Sequence, residues 1–303
     1  MASPQVPVDD VVEPLETIVR RGFSEYDVFR DWTELMLAAL QDDDETYLDI
    51  LEEYDRGADR DRGNRNADLF AEAFGELQRA MQETNLDALG AVYEALGLGQ
   101  HDQGIHFTPH NVARAMAEMQ VVCQSGESAP EPPVRVADPA CGSGRLLILA
   151  ARAHDEPVFC YAKDKDSVCA RMAALNCCFF NLDAVVVQGD SLTVARQRAW
   201  QTTHSPLGGE IAEVSPDALP DPEVLFSGDS DDAEAAETEM ETASGESTDT
   251  GAVSGGDVPA AADAHAAETD GGSERTSDER RPADERLTVE SSHGSEQAGL
   301  DEF

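Results

Sequence analysis

The sequence predicts an α/β protein in which a doubly wound parallel sheet, left short of strands, follows an all-helical region and precedes an acidic tail. Three observations carry this prediction. Residues 134–149, VRVADPACGSGRLLIL, read as a short apolar strand, a Gly-Ser-Gly turn and an apolar helix. A strand, a Gly-x-Gly turn and a helix N-terminus together form the phosphate- and nucleotide-gripping corner of doubly wound folds. Two further apolar stretches, 157–161 and 184–187, flank a helical pattern over 167–180. Near-continuous apolar strands alternating with helices are the pattern of a parallel sheet covered on its faces. Beyond Ser215 the chain turns to Asp, Glu, Ser, Thr, Ala and Gly with few aromatics. Such a segment buries too little apolar surface to offset its ordering entropy.

Residues 1–23 are expected to form a flexible N-terminus with one short amphipathic piece over 11–19. The helical region spans 24–100. Ser24 suits an N-cap, and Val28, Phe29, Trp32, Leu35, Met36 and Leu40 then recur at helical spacing. Asp42, Asp43 and Asp44 interrupt the pattern. Tyr47, Ile50, Leu51 and Tyr54 mark a second helix, and 56–65 is a polar loop. Leu69, Phe70, Phe74, Leu77 and Met81 line a third. A fourth covers 86–96 and stops near Gly97 and Gly99, glycine being a common helix end. Periodicity reports burial, so the region reads as a bundle packed on the sheet. The competing role, contact with nucleic acid or a partner protein, finds no basic face among these acid-rich helices.

The α/β part is expected over 101–214. Thr108 suits an N-cap and Pro109 the first helical position, which starts a helix over 109–119. Val112, Ala115, Met116 and Met119 are its expected buried side. A polar loop over 123–133 leads to the first strand, at Val134 and Val136. In the turn that follows, Gly142 and Gly144 can adopt backbone angles closed to other residues and let a ligand approach the main chain. The helix behind them presents unpaired N–H donors. A crossover helix over 146–153 leads to the second strand, then to Asp164 and Asp166. The 167–180 helix turns Cys169, Met172, Leu175 and Phe179 inward, and the third strand ends at Gly189-Asp190-Ser191. Residues 193–201 read as a solvated helix, and 215–303 as a disordered tail.

Composition bounds the function. The 303 residues hold 62 acidic and 21 basic side chains, a net charge of −41, and the only lysines are Lys163 and Lys165. So much acid with so little lysine fits a high-salt cytosol, where self-repulsion is screened. It also argues against non-specific nucleic-acid binding at ordinary salt, because phosphate contacts need Lys or Arg. A local arginine groove is still compatible with it. The N-terminus lacks the basic and apolar regions of a signal peptide, and no apolar run nears the roughly 20 residues of a membrane span. Cysteines 123, 141, 160, 169, 177 and 178 show no C-x-x-C or zinc spacing. A reduced, cytoplasmic protein with no metal site is expected.

By itself Gly-x-Gly marks no more than a β-to-α turn, and Leu147 stands where a dinucleotide fingerprint has its third glycine. As a unit, however, Asp138-Pro139-Ala140-Cys141-Gly142-Ser143-Gly144 resembles the D-P-A-C-G-[ST]-G loop of the N6-adenine DNA methyltransferases, which include the modification subunits of type I restriction systems. The resemblance implies a class I methyltransferase fold and an S-adenosylmethionine site at this loop. Gly104-Ile105-His106-Phe107-Thr108-Pro109 is similar to the family's G-Q-[FY]-[FY]-T-P segment, with Ile105 and His106 departing from it. There Phe107, Thr108 and Pro109 would meet the methionine end of the cofactor. Asp164 lies 22 positions beyond Gly142, where doubly wound folds keep an acid for ribose hydroxyls. Asp166 is the alternative. Gly189-Asp190-Ser191-Leu192 is similar to the family's G-D-[ST]-L, which assigns Asp190 to the cofactor's adenine amino group.

The resemblance stops there. The family's [DN]-P-P-[FYW], which holds the flipped target base, has no counterpart, and Ser205-Pro206-Leu207 is no substitute. The catalytic residues therefore stay unassigned. Two functions are carried forward: adenine-N6 methylation of DNA with S-adenosylmethionine, the substrate half coming from another subunit, from self-association or from a divergent segment; and a non-catalytic S-adenosylmethionine-binding protein derived from such enzymes. A small-molecule or NAD-dependent enzyme is a third, opposed by the missing glycine and the F-T-P segment.

Overall fold

The computed structural model describes residues 6–55, 60–101, 104–124 and 133–220, all within one compact unit. The expected tail lies outside these residues from 221 onward. Six helices come first: α1 (Asp9–Val19), α2 (Glu25–Leu40), α3 (Asp44–Asp55), α4 (Asn66–Thr84), α5 (Ala88–Ala95) and the short α6 (Leu98–His101). Helix α7 (His110–Gln124) leads into β1 (Val134–Asp138), α8 (Arg145–Ala153), β2 (Val158–Asp164), α9 (Ser167–Phe179) and β3 (Asp183–Gln188). Strands β4 (Arg198–Thr203) and β5 (Glu210–Val214) follow, then a 3-10 turn at Pro216–Ala218.

Several boundaries follow from local chemistry. The Ser24 side chain accepts from the Asp27 N–H to cap α2, as its sequence position predicts. Asp166 caps α9 through the N–H groups of Val168 and Cys169. The amphipathic 11–19 piece is α1, whose Val11, Pro14, Leu15 and Ile18 are buried in the core. Helix α1 thus lies within the stretch expected as a flexible N-terminus. An apolar face presented every third or fourth residue docks on α4 and removes the freedom that a polar terminus keeps.

The sheet has the order β1-β2-β3-β4-β5. The first three strands are parallel, with Val136 beside Cys160 and Cys160 beside Ala184. β3 and β4 pair antiparallel, as do β4 and β5. The expected solvated helix over 193–201 is thus incorrect, and the sheet is mixed rather than wholly parallel. Trp200, Thr202 and Ala199 are buried in β4, which has partners on both edges. Backbone pairing there outweighs the helix-like spacing of its sequence.

Helices α8 and α9 pack on the sheet face that carries Val134, Val136, Ala162, Val186 and Trp200, and the N-terminal helices cover them from outside in one continuous core. The opposite face gathers Phe159, Tyr161, Val185, Val187, Ala199, Val214 and Leu219 into a second, smaller core. Arg171 of α9 pairs with Glu34 of α2 and donates to the Arg30 carbonyl, joining the helical layers. The expected inward cysteines 160, 169 and 177 are buried and free, as are 141 and 178.

One face is reversed. α7 buries Ala113 and Ala117 against α8 and leaves Val112, Met116 and Met119 45%, 48% and 66% exposed. Small alanines let α7 lie close to α8, so the larger apolar stripe points away. Among the described residues nothing pairs with the outer edge of β1 either.

Candidate cofactor cleft

The three parallel strands bring their C-terminal ends to one rim, and backbone bonds lace the loops together. Cys141 N–H donates to the Lys163 carbonyl at 3.0 Å, and Gly189 N–H to the Asp164 carbonyl at 2.8 Å. Ser191 Oγ donates to the Pro139 carbonyl at 2.6 Å. In open α/β sheets this rim is where ligands sit.

A cleft of about 250 Å³ opens there, slightly below the roughly 300–1,000 Å³ usual for ligand sites. Its lining comes from three segments: Ile105, His106, Phe107 and Thr108 before α7, Asp138, Ala140, Cys141 and Gly142 of the turn after β1, and Asp164, Lys165 and Asp166 at the end of β2. The first two are the walls that meet where Phe107 packs on Gly142. Pro109, Pro139, Gly144 and Asp190 of the expected set stand outside the cleft lining. Pro109 accepts the first bonds of α7 at its carbonyl, and Gly144 starts α8. Asp190 turns back on its own loop, Oδ1 accepting from the Leu192 N–H at 2.8 Å.

The turn needs its glycines. Gly142 has φ +54° and Gly144 φ +78°, the left-handed region that side chains avoid. A Cβ on Gly142 would also lie 2.9 Å from the Phe107 ring, so the two walls of the cleft approach as closely as a bare backbone permits.

Both candidate acids accept two backbone bonds and line the cleft, but Asp166 takes both at Oδ1 from the first turn of α9, whereas Asp164 is tied to the glycine turn. The Asp164 carboxylate accepts one backbone bond per oxygen, from Gly142 N–H at 2.9 Å and Asp166 N–H at 2.9 Å. An ionised carboxylate has about four acceptor positions, so two remain for a diol. That donor–acceptor set fits a ribose. Asp138 is held above the usual carboxylate range, first by burial and, against the Ala140 N–H bond, by repulsion from Asp164. Burial likewise pushes the Cys141 thiol well up, which makes it a packing residue and not a nucleophile.

Sequence reasoning missed a buried polar cluster behind the turn. Asp87, the N-cap of α5, has its carboxylate wholly buried and receives four donors. Its Oδ1 accepts from Gly90 N–H at 2.7 Å and Asn176 Nδ2 at 2.9 Å. Its Oδ2 accepts from Ser143 Oγ at 2.6 Å and Arg145 Nε at 2.9 Å. Arg145, 5% exposed at its side chain, also donates to the Thr108 carbonyl and to Glu94, both at 3.0 Å, and lies over the Phe107 ring. Locally Asp87 signals only a helix start. The partners that give it meaning are 56 and 58 residues away.

Among the described residues no group of His, Cys, Asp and Glu could hold a metal ion, and no helix is long and apolar enough to cross a membrane. Residues 84–205 match the family model for the N-6 DNA methylases. Type II methyltransferase M.MamI of Microbacterium ammoniaphilum is 37% identical over 76 residues, covering 23% of this chain. That stretch is 21% of the relative, so the chain spans about a fifth of the length of the curated relative it matches. No solved structure matches the chain.

Proposed function

We propose that this chain, whose residues 84–205 match the N-6 DNA methylase family model, is the S-adenosylmethionine-binding part of a DNA adenine-N6 methyltransferase with a class I fold. The observation that carries the proposal is the cleft itself. Phe107 and Thr108 of the F-T-P segment share its lining with the D-P-A-C-G-S-G turn, and Asp164, an acid with two remaining acceptor positions, lines it with them. Bound S-adenosylmethionine would supply an already electrophilic methyl group. In this reading Phe107 and Thr108 serve its methionine end, Asp138, Ala140, Cys141 and Gly142 line its bed, and Pro109, Pro139 and Gly144 shape the two segments from outside the lining. Asp164 accepts the ribose hydroxyls, and Asp190 serves the adenine amino group.

Transfer also needs an amine held in line, about 3–3.5 Å from the methyl, and a proton acceptor. The described residues offer no such wall, and the sequence has no [DN]-P-P-[FYW]. The outer edge of β1, which no described strand covers, is where a further strand carrying that wall would add. With a net charge of −41, DNA contact falls largely to the part that brings this strand. The same gap gives specific support to the second reading, a non-catalytic S-adenosylmethionine-binding protein.

Labelled S-adenosylmethionine and DNA in molar KCl separate the two. Binding by calorimetry with methyl transfer, alone or with the co-expressed products of neighbouring genes, supports the enzyme. Binding with no transfer in either arm supports the binding protein. Absence of binding heat sinks both.

A further inference from the structure

We propose that Asp87 is a positioning residue for the cofactor cleft: from the helical layer, it holds both cleft walls at their working separation. The inference rests on the cleft being the S-adenosylmethionine site, and it adds to that reading a residue outside every motif. Through Ser143 Oγ at 2.6 Å the carboxylate grips the middle of the Gly142-Ser143-Gly144 turn. Through Arg145 Nε at 2.9 Å it orients the guanidinium that holds the Thr108 carbonyl of the facing wall. Asn176, bonded to both Asp87 and the Ser143 carbonyl, closes the circuit from α9.

The packing is built around this grip. A Cβ on Gly90 would meet Asp87 Oδ2 at 2.3 Å and Ser143 Oγ at 2.8 Å, so α5 lies against the turn as closely as a helix can. A wholly buried carboxylate without its cation would be costly, and so would a buried guanidinium without its carboxylate. The four donors therefore fix one arrangement of α5, the turn and the F-T-P segment together. A ligand meeting that arrangement has little left to order.

The test uses the full chain in molar KCl and compares Asp87→Asn, Ser143→Ala and wild type. Asp87→Asn keeps shape but presents an amide N–H₂ where only acceptors fit. Two readouts are taken at a temperature where the variants are folded: the S-adenosylmethionine Kd, and hydrogen exchange of peptides spanning 138–149 and 183–188. Asp87→Asn is expected to raise Kd at least tenfold and Ser143→Ala three- to tenfold. Exchange should quicken in 138–149 and stay unchanged in 183–188, and Asp87→Glu, which restores the charge, should recover part of the affinity. A lower Tm with Kd within twofold of wild type and unchanged exchange in 138–149 would overturn the proposal. If Asp87→Asn does not fold, Ser143→Ala decides by the same two readouts. If wild type binds no S-adenosylmethionine, the functional reading fails, and the exchange of 138–149 alone decides the role of Asp87.

Discussion

Asp164 and Asp166 lie two residues apart at the end of β2, and the difference between them is one of hydrogen-bond geometry. Asp166 caps the first turn of α9 with one carboxylate oxygen; Asp164 accepts from the Gly142 amide and so ties the end of β2 to the glycine turn. Asp164→Ala is therefore expected to weaken S-adenosylmethionine binding about 10- to 150-fold, the loss of roughly 1.5–3 kcal/mol that follows from removing a charged acceptor. Calorimetry checks it, and an affinity within twofold of wild type would remove the residue from the site. His110 gives a pH signature. Burial first, then the neighbouring Arg145 charge, lowers its pKa to about 4 against the opposing pull of Asp87. In the unfolded chain an imidazole takes its proton near about 6.5. Its contribution to stability is thus complete above pH 6.5 and declines as pH falls toward 4, where the unfolded state binds the extra proton. Thermal melts between pH 6.5 and 4.5 should fall less steeply for His110→Leu than for wild type, and equal slopes would refute the assignment.

At the scale of elements, α7 and β4 show how much a sequence pattern leaves open. The apolar stripe of α7 was legible, but the sequence could not say which side meets α8. The tighter contact through Ala113 and Ala117 decided it and left Val112, Met116 and Met119 outward. In β4, Arg198-Ala199-Trp200-Gln201-Thr202-Thr203 buries Trp200 in one core and Ala199 in the other. A short strand buried on both faces has no alternation to read, and a helix is an equally good account of it. The two elements predict opposite responses. Trp200→Ala is expected to cost about 3–5 kcal/mol, as a large core side chain does. Met119→Gln should stay within about 0.5 kcal/mol, as surface changes do. Denaturant titration in molar KCl compares them; a costly Met119→Gln would mean that the α7 stripe is covered in the isolated chain.

Across the whole molecule, charge sets the working conditions. With 62 acidic against 21 basic residues, like charges repel over a Debye length of about 10 Å at 0.1 M salt but only about 3 Å at 1 M. The Tm of the full chain should therefore rise steadily from 0.1 to 2 M KCl, and a flat or falling Tm would refute a high-salt design. The ion pairs that join layers sit in the interior, where salt screens little. Arg145–Asp87 is one and Arg171–Glu34 another. The first should hold the cleft together and the second keep α9 on α2 across that range.

What the sequence alone determined is the strand–turn–helix at Gly142 and Gly144, the parallel β1-β2-β3 unit and the helical layer above it. These rest on local quantities: apolar periodicity, caps, and backbone angles that glycine alone accepts easily. Only the tertiary structure decided that α1 belongs to the core, that β4 and β5 extend the sheet antiparallel, and that α7 turns its larger side chains outward. It also decided that Asp87 stands behind the Gly142–Gly144 turn. Each of these depends on partners outside the element itself, for α1, α7 and Asp87 tens of residues away, and a periodicity records that a face is buried without recording against what.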